Sequence, residues 1–359
     1  MRVLAKKVFP EESLLGKLLR KGYALLWQLL HRYYIYRYNK VLIPLMSDMN
    51  LLSEKIRLIK EPQSRATMKF YIIRNKATLI PVGLFNHVIT TFMHILYATA
   101  KGMIPVIDMQ NYPNIYLDDE KFGFENAWEY YFKQPCNFGL DDANTVSRLH
   151  VVYSSQHNVF QQVLPLLLYG NEKHYERDFR IWVTMFKHFF CLSSDALKYV
   201  DEEFCKIIKP GIRVIGIICR GGDYTAMRPK GHAVQPKVED VIRKVKSVIS
   251  DWSCDYIYVS SDERKAVKAF EEAFPGRVLS LSRMYYDDIG FDYSKQYIGE
   301  AKFNRENDAY LKGLEYLTQI MILSRCTSAV LSMTAGSAAA RYINGGKYEN
   351  LYVFDLGIY

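Results

Sequence analysis

The sequence lacks most of the signatures that identify common classes of protein. Its six cysteines are scattered, and none stands in a C-x-x-C or C-x-x-H spacing that would indicate a zinc site. No stretch of 18 apolar residues occurs, which argues against a transmembrane helix. The glycines form neither the G-x-G-x-x-G of nicotinamide enzymes nor a phosphate loop, and Gly83 is not part of a G-x-S-x-G nucleophile motif.

Net positive charge is also small over most of the chain, although the whole chain carries +9. Residues 1–40 hold nine Lys and Arg against two acids, Glu11 and Glu12, and therefore carry +7. The remaining 319 residues carry only +2, so the composition does not demand the broad basic face that is typical of nucleic-acid binding. Scattered cysteines without a signal-peptide pattern favour a cytoplasmic protein.

The basic N-terminus contains an amphipathic helical pattern. Over residues 14–33 the leucines fall on one side of the helix, and Lys17, Arg20 and Lys21 fall on the other. Such a helix can lie at a membrane interface, and residues 14–38 would then hold the protein at the inner face of the membrane. Alternatively, the same apolar face packs on the body of the protein. We expect residues 1–67 to form a basic helical extension.

The rest of the chain alternates predicted strands and helices. Strands are expected at 70–73, 78–82, 104–108 and 149–154 in the first half, and at 214–219, 255–260, 278–281, 328–332 and 351–354 in the second. Helices are expected at about 87–101, 236–250, 263–273, 308–324 and 337–343. Lys209-Pro210-Gly211 separates the halves. The alternation predicts an α/β protein of two doubly wound, Rossmann-like domains over 68–208 and 209–359.

Small polar and charged residues follow three of the second-half strands. They are Arg220 and Asp223, Ser261 and Asp262, and Ser332, Thr334 and Ser337. Because ligands bind beyond the carboxyl ends of parallel strands, we expect these residues to line a ligand cleft. An Arg followed by glycines suits a phosphate, since Arg offers a planar charged fork and Gly allows close backbone approach. Taken singly, each motif also fits an ordinary surface turn.

Two further groups in the first half are candidate contacts. Asn86 and His87 follow the Gly83 turn, where they could touch a ligand or simply cap the helix. Residues 109–148 are rich in acids and aromatics, which are typical of sugar-binding clefts but also occur on surface helices.

The three strand-end motifs resemble the fucosyltransferase-like superfamily of GT-B glycosyltransferases, which includes bacterial α1,2- and α1,6-fucosyltransferases and protein O-fucosyltransferases. The segment from Ile218 to Tyr224 is similar to the family motif His-x-Arg-(Arg)-Gly-Asp-Tyr. Arg220 occupies the position of the Arg that, in this family, holds the β-phosphate of the donor. Ile218 occupies the His position, and Gly221 occupies that of the second Arg. Residues 231–236 look like the Gly-His-Pro-x-Gln-Pro of some bacterial relatives.

The remaining motifs extend the resemblance over residues 75–345. Residues 258–262 are similar to a family strand whose terminal acid faces guanine, and residues 330–340 look like the loop that wraps the nucleotide phosphates. Residues 83–87 stand where a Gly-rich loop faces the donor. The resemblance thus implies donor contacts from Gly83, Phe85, Asn86, Arg220, Gly222, Asp223, Tyr224, His232, Ser261, Asp262, Ser332, Thr334, Gly336 and Ser337.

The resemblance implies a GT-B fold whose two domains face a cleft, with the acceptor in the first and the nucleotide-sugar in the second. It implies transfer of fucose from GDP-fucose to a glycan or lipid-linked acceptor in surface polysaccharide synthesis. The mechanism would be inverting and independent of a metal or other cofactor, with Arg220 stabilising the leaving diphosphate. His87, Asp118, Asp119 and Glu125 are the candidates for the general base. Another nucleotide-sugar, or non-catalytic binding on the same scaffold, is the alternative.

Overall fold

A computed structural model describes residues 39–62, 68–74, 82–154, 175–220 and 222–359, together with Leu29, Arg32, Tyr33 and Tyr36. Within these residues every pairing between the named strands is parallel, and the strands form two sheets. Helices lie between most of the successive strands in the sequence. The α/β prediction is therefore confirmed. The sheets lie on either side of the boundary predicted at 208/209.

The first sheet has three strands in the order β2-β1-β3. They are β1 (Phe70–Ile73), β2 (Ile104–Ile107) and β3 (Val151–Tyr153). Both β1 and β2 are apolar and fully buried, as expected for strands covered on both faces. A long helix, α2 (Leu84–Ala100), connects them. Residues 78–81 of the strand predicted at 78–82 lie outside the described part of the chain, and Val82 is not in a strand.

Further helices lie in the described part of the first half. They are α1 (Met49–Lys60), α3 (Ala127–Tyr131), α4 (Leu140–Thr145), α5 (Tyr175–Phe189) and α6 (Ser194–Ile207). The helix α2 begins three residues before the predicted start at 87, because Leu84 and Phe85 are fully buried in its first turn. It ends beside Lys101 and Gly102, as predicted, and Gly102 adopts a φ of 64°.

The second sheet has five strands in the order β6-β5-β4-β7-β8. They are β4 (Val214–Cys219), β5 (Tyr256–Ser261), β6 (Val278–Leu279), β7 (Ser328–Ser332) and β8 (Leu351–Phe354). The chain runs outward from β4 to β6 and then returns to place β7 on the other side of β4. The reversal of strand order between β4 and β7 opens a crevice at their carboxyl ends, where ligands of such sheets bind.

The helices of the second half are α7 (Gly222–Met227), α8 (Val238–Val248), α9 (Arg264–Ala273), α10 (Asp308–Ser324) and α11 (Ala335–Asn344). The sequence predicts a loop where α7 lies. Most of α10 is buried, because it packs on α2, α3 and α6 of the first half and on α11, β4 and β5 of the second. One apolar core consequently runs through both halves.

Most of the predicted amphipathic helix at 14–33 lies outside the described residues. Among its described members, Leu29, Arg32 and Tyr33 are helical and exposed. In the part of the chain that the structure covers, no helix has the length and apolar character needed to span a bilayer.

Candidate functional site

A small pocket lies where the strand order reverses. Its walls come from the carboxyl ends of β4 and β5, from α10, and from the residue before α11. The lining residues are Ile218, Cys219, Arg220, Ser260, Ser261, Asp262, Tyr316, Gln319 and Thr334. The three strand ends that the sequence picks out therefore meet at one place.

Arg220 supplies the positive charge of this pocket. Its guanidinium lies 4.1 Å from the Tyr224 ring centroid, and its Nη2 is 3.7 Å from Asp223 Oδ2. Burial opposes the charge, but Asp223 and the neighbouring tyrosines outweigh that effect and hold the Arg220 pKa above its ordinary value. The buried Nε has no hydrogen-bond partner among the described residues. A desolvated cation with an unused donor is a ready site for an anion.

Asp223 and Gly222 fix the backbone next to that cation. The Asp223 carboxylate is buried and accepts hydrogen bonds from the amides of Tyr224, at 2.8 Å, and Ile298, at 3.2 Å. Burial raises the Asp223 pKa, and Arg220 opposes this. Gly222 has a φ of 56°, and a Cβ there would lie 2.5 Å from the Tyr293 ring. Both the turn and the packed ring thus require glycine. Asp223 is best placed to orient Arg220.

His232 lies beside this arrangement. Its ring meets that of Tyr224 edge to face, with the centroids 5.1 Å apart. Burial and the Arg220 charge lower the pKa of His232, so its imidazole is mainly neutral at pH 7. His232 therefore packs on Tyr224, the residue that stacks on Arg220, and does not line the pocket.

A buried arginine that the sequence analysis missed holds Asp262. Arg283 Nη1 donates to Asp262 Oδ1 at 3.1 Å and to Gln319 Oε1 at 2.8 Å, and its side chain is only 1% exposed. Gln319 Nε2 in turn donates to the Ser261 carbonyl at 3.0 Å. The Ser261 hydroxyl is buried and donates to the Cys219 carbonyl at 3.1 Å. Asp262 is therefore presented to the pocket in a fixed orientation.

The helix α11 begins at the pocket. Thr334 is its N-cap, and its hydroxyl oxygen accepts from the Ser337 amide at 3.0 Å. Gly336 permits close packing, since a Cβ there would lie 2.7 Å from the Tyr316 hydroxyl. Ser332 is fully buried and donates to Gln235 Oε1 at 2.8 Å. The N-terminus of α11 therefore adds a partial positive charge to the wall that Arg220 begins.

The first-half candidates do not line this pocket. Phe85 is fully buried and packs edge to face on Tyr316, with centroids 5.2 Å apart, while Asn86 accepts from the Thr90 hydroxyl at 3.5 Å. Gly83 is exposed at the start of α2. His87 is buried, its Nδ1 lacks a hydrogen-bond partner among the described residues, and burial lowers its pKa to about 4. Its base role stays a prediction.

The acidic base candidates lie in the loop before α3. Asp118 Oδ2 is 3.6 Å from Lys121 Nζ, Asp119 is exposed, and Glu125 accepts from the Tyr130 hydroxyl. None of the three lines the strand-end pocket. Within the described ranges no group of three or more His, Cys, Asp and Glu side chains could hold a metal ion. Independence of a metal stays a prediction.

No protein-family model and no curated protein matches this sequence. Solved structures do match. The fucosyltransferase NodZ from Bradyrhizobium is 14% identical, with 81% of this chain and 96% of that chain covered, at a TM-score of 0.47. POFUT1 in its apo form is 10% identical, with 82% and 99% covered, at 0.47. Arabidopsis thaliana FUT1, in complex with GDP, is 9% identical, with 91% and 79% covered, at 0.44.

These likenesses are to the kind of protein that the sequence motifs resemble. At such identities and TM-scores they establish no function for this chain.

Proposed function

We propose that the protein is a glycosyltransferase that transfers fucose from GDP-fucose to a glycan or lipid-linked acceptor in surface polysaccharide or glycoconjugate synthesis. The strand-end pocket would hold the nucleotide diphosphate. Arg220 and the N-terminus of α11 would face the phosphates, and Asp262 would accept hydrogen bonds from the guanine edge.

The chemistry of the transfer requires such an electrostatic site. As the glycosidic bond to fucose breaks, negative charge builds on the β-phosphate of the leaving GDP. A fixed guanidinium stabilises that charge more in the transition state than in the ground state, which is what accelerates the reaction. The acceptor hydroxyl must lose a proton to complete the transfer. His87, Asp118, Asp119 and Glu125 stay the candidates for that step in an inverting mechanism.

The single observation that carries the proposal is the state of Arg220. The Arg220 side chain is 24% exposed, but its Nε is buried and has no hydrogen-bond partner among the described residues, so an anion in the pocket would satisfy this donor. Arg220 stands at the carboxyl end of β4, where the strand order reverses. The guanidinium is kept in place for that ligand because it stacks on the Tyr224 ring and lies beside the Asp223 carboxylate.

The test is release of GDP from GDP-fucose by the wild type, R220A and R220K, with ADP-, UDP- and other GDP-sugars in parallel. We expect turnover with GDP-fucose by the wild type, loss of more than about 100-fold in R220A, and partial retention in R220K, which keeps the charge but not the fork. Wild-type turnover in R220A would overturn the mechanism. Binding of GDP without turnover would instead identify a non-catalytic nucleotide-binding protein.

A peripheral location at the inner face of the membrane is part of the proposal. Leu29, Tyr33, Tyr36 and Ile43 are each more than half exposed, and their spacing of four, three and seven residues places them on one helical face. Exposed Arg32 and Lys40 add positive charge nearby. We expect the full chain to float with anionic liposomes and a chain lacking residues 1–38 to stay behind. If both proteins floated with the liposomes to the same extent, the proposed membrane location would be refuted.

A further inference from the structure

We infer that a second groove, distinct from the strand-end pocket, binds a neutral saccharide. This open groove is lined by Lys121, Glu129, Tyr130, Ser193, Asp195, Asn307 and Tyr310. We call it the tyrosine groove. That the saccharide is part of the acceptor rests on the proposed function, whereas its binding does not.

Two half-buried tyrosines form the aromatic part of the groove. The rings of Tyr130 and Tyr310 meet edge to face, with their centroids 5.7 Å apart and their planes at 88°. Tyr310 is also stacked on buried Tyr131, and Tyr131 donates its hydroxyl to the Tyr310 carbonyl at 2.8 Å. The rings are therefore held before any ligand arrives. Rigid aromatic surfaces of this kind pack on the apolar faces of sugar rings at a small entropic cost.

Polar groups at the rim suit the hydroxyls of a sugar. Glu129 is exposed, and its Oε1 accepts from Gln134 Nε2 at 2.8 Å, which fixes its orientation. Asp195 is exposed in the first turn of α6. Asn307, before α10, is exposed and has a φ of 53°. Carboxylates accept and an amide both accepts and donates hydrogen bonds, as a polyhydroxyl ligand requires.

The charges of the groove select against an anionic ligand. The lining residues include two carboxylates, Glu129 and Asp195, and one cation, Lys121, whose Nζ lies 3.6 Å from Asp118 and 5.8 Å from the Tyr130 ring centroid. Burial and the hydrogen bond to Glu125 raise the pKa of the Tyr130 hydroxyl, so this phenol stays neutral at pH 7. A phosphate, uronate or sulfate in the groove would meet net negative charge, whereas a neutral saccharide would not.

The groove is built from both halves of the molecule. Tyr130 and Asp195 belong to α3 and α6, and Tyr310 belongs to α10, which also supplies Tyr316 and Gln319 to the strand-end pocket. Six residues separate Tyr310 from Tyr316, a rise of about 9 Å along the helix. The same six positions turn the helix by about 240°, so the groove and the strand-end pocket lie on different sides of α10.

The test is binding of saccharides by the intact protein. Neutral tetrasaccharides of glucose, galactose, mannose or N-acetylglucosamine, and anionic tetragalacturonate, are screened at millimolar concentration by saturation-transfer NMR. We expect at least one neutral probe to bind and tetragalacturonate not to bind. Y130A should bind that probe about tenfold more weakly or worse. Y130F, which keeps the ring, should retain most of the affinity.

The matched control is F124A, because Phe124 is 83% exposed in the same region and does not line the groove. It should bind as the wild type does, and Y130A should retain the wild-type response to GDP. The inference is overturned if no neutral probe binds the wild type, or if Y130A and F124A bind alike. If the protein binds GDP but no saccharide, the inference about the tyrosine groove is refuted and the proposed donor site is not. If the protein binds a saccharide but no nucleotide, the proposed nucleotide-sugar donor is refuted and the saccharide site is not.

Discussion

At the scale of single residues, Asp262 depends on a partner that is far from it in sequence. The Arg283 guanidinium is buried among Asp262, Gln319 and Glu315, with its Nη2 3.7 Å from Glu315 Oε2. Removing one member of a buried ion pair leaves the other charges uncompensated in a poorly solvated place. The orientation of Asp262 in the pocket is thus maintained by Arg283.

We expect R283M to lower the free energy of unfolding by about 3 kcal/mol, measured by urea titration. The variant should also lose discrimination between GDP and IDP, because IDP lacks the amino group that a fixed carboxylate would recognise. A merely structural role would lower both affinities equally and leave their ratio unchanged, which would contradict the prediction.

Arg264 provides the control, since it pairs with Asp288 at the surface with both side chains more than a third exposed. R264M should lower stability by less than about 1 kcal/mol and leave the GDP to IDP ratio unaltered.

The sequence predicts pocket residues well where they directly follow a strong strand pattern. Arg220 and Asp262 are found this way, because the strands before them are apolar and almost wholly buried, which makes them easy to recognise. Arg283 escapes because it follows a strand of only two residues and opens an irregular segment. Its role exists only through contacts with Asp262 and Glu315, 21 and 32 positions away, which no local pattern reveals.

At the scale of elements, α11 links helix capping to ligand binding. Thr334 caps the helix and also lines the pocket, so its hydroxyl both supports the Ser337 amide and borders the place proposed for the phosphates. Loss of this cap should loosen the first turn, where the amides and the helix dipole face the anion.

We expect T334A to lose about 1 kcal/mol of stability and to bind GDP several-fold more weakly, whereas T334S should restore both. Thermal unfolding with and without GDP measures the two effects together. The comparison variant is S193A, because Ser193 caps α6 by accepting from the Ala196 amide at 3.3 Å and is absent from the strand-end pocket. S193A should lose similar stability at unchanged GDP affinity. An equal effect of T334A and S193A on GDP binding would refute a role for the α11 terminus.

Element boundaries show where local patterns stop being informative. The bounds of β4, α10, β7 and β8 are predicted to the residue, because each is a strongly apolar or strongly periodic segment. The start of α2 is predicted three residues late, because buried Leu84 and Phe85 extend the helix. The start of α11 is predicted two residues late, because Thr334 caps it. The short helix α7 is missed, since its first residue, Gly222, favours a loop in isolation.

At the scale of the whole molecule, α10 couples the two halves through one continuous core. The sequence predicts two parallel α/β units but not their strand order, which depends on pairing between distant segments. The reversal between β4 and β7, and the tyrosine groove formed by residues from positions 121 to 310, are consequences of that long-range order. Both follow from how the elements pack, and the site is complete only in the assembled fold.

The central claim is that Arg220 holds the diphosphate of a bound guanine nucleotide. It is tested most directly by calorimetric titration of GDP into the wild type and R220A at pH 7, with thermal unfolding of each free protein as a check on the fold. The wild type should bind GDP, and R220A should bind it about 10- to 100-fold more weakly, because a charge-assisted hydrogen bond to a buried site is lost. Equal GDP affinity in the two folded proteins, or no GDP binding by the wild type, would contradict the account.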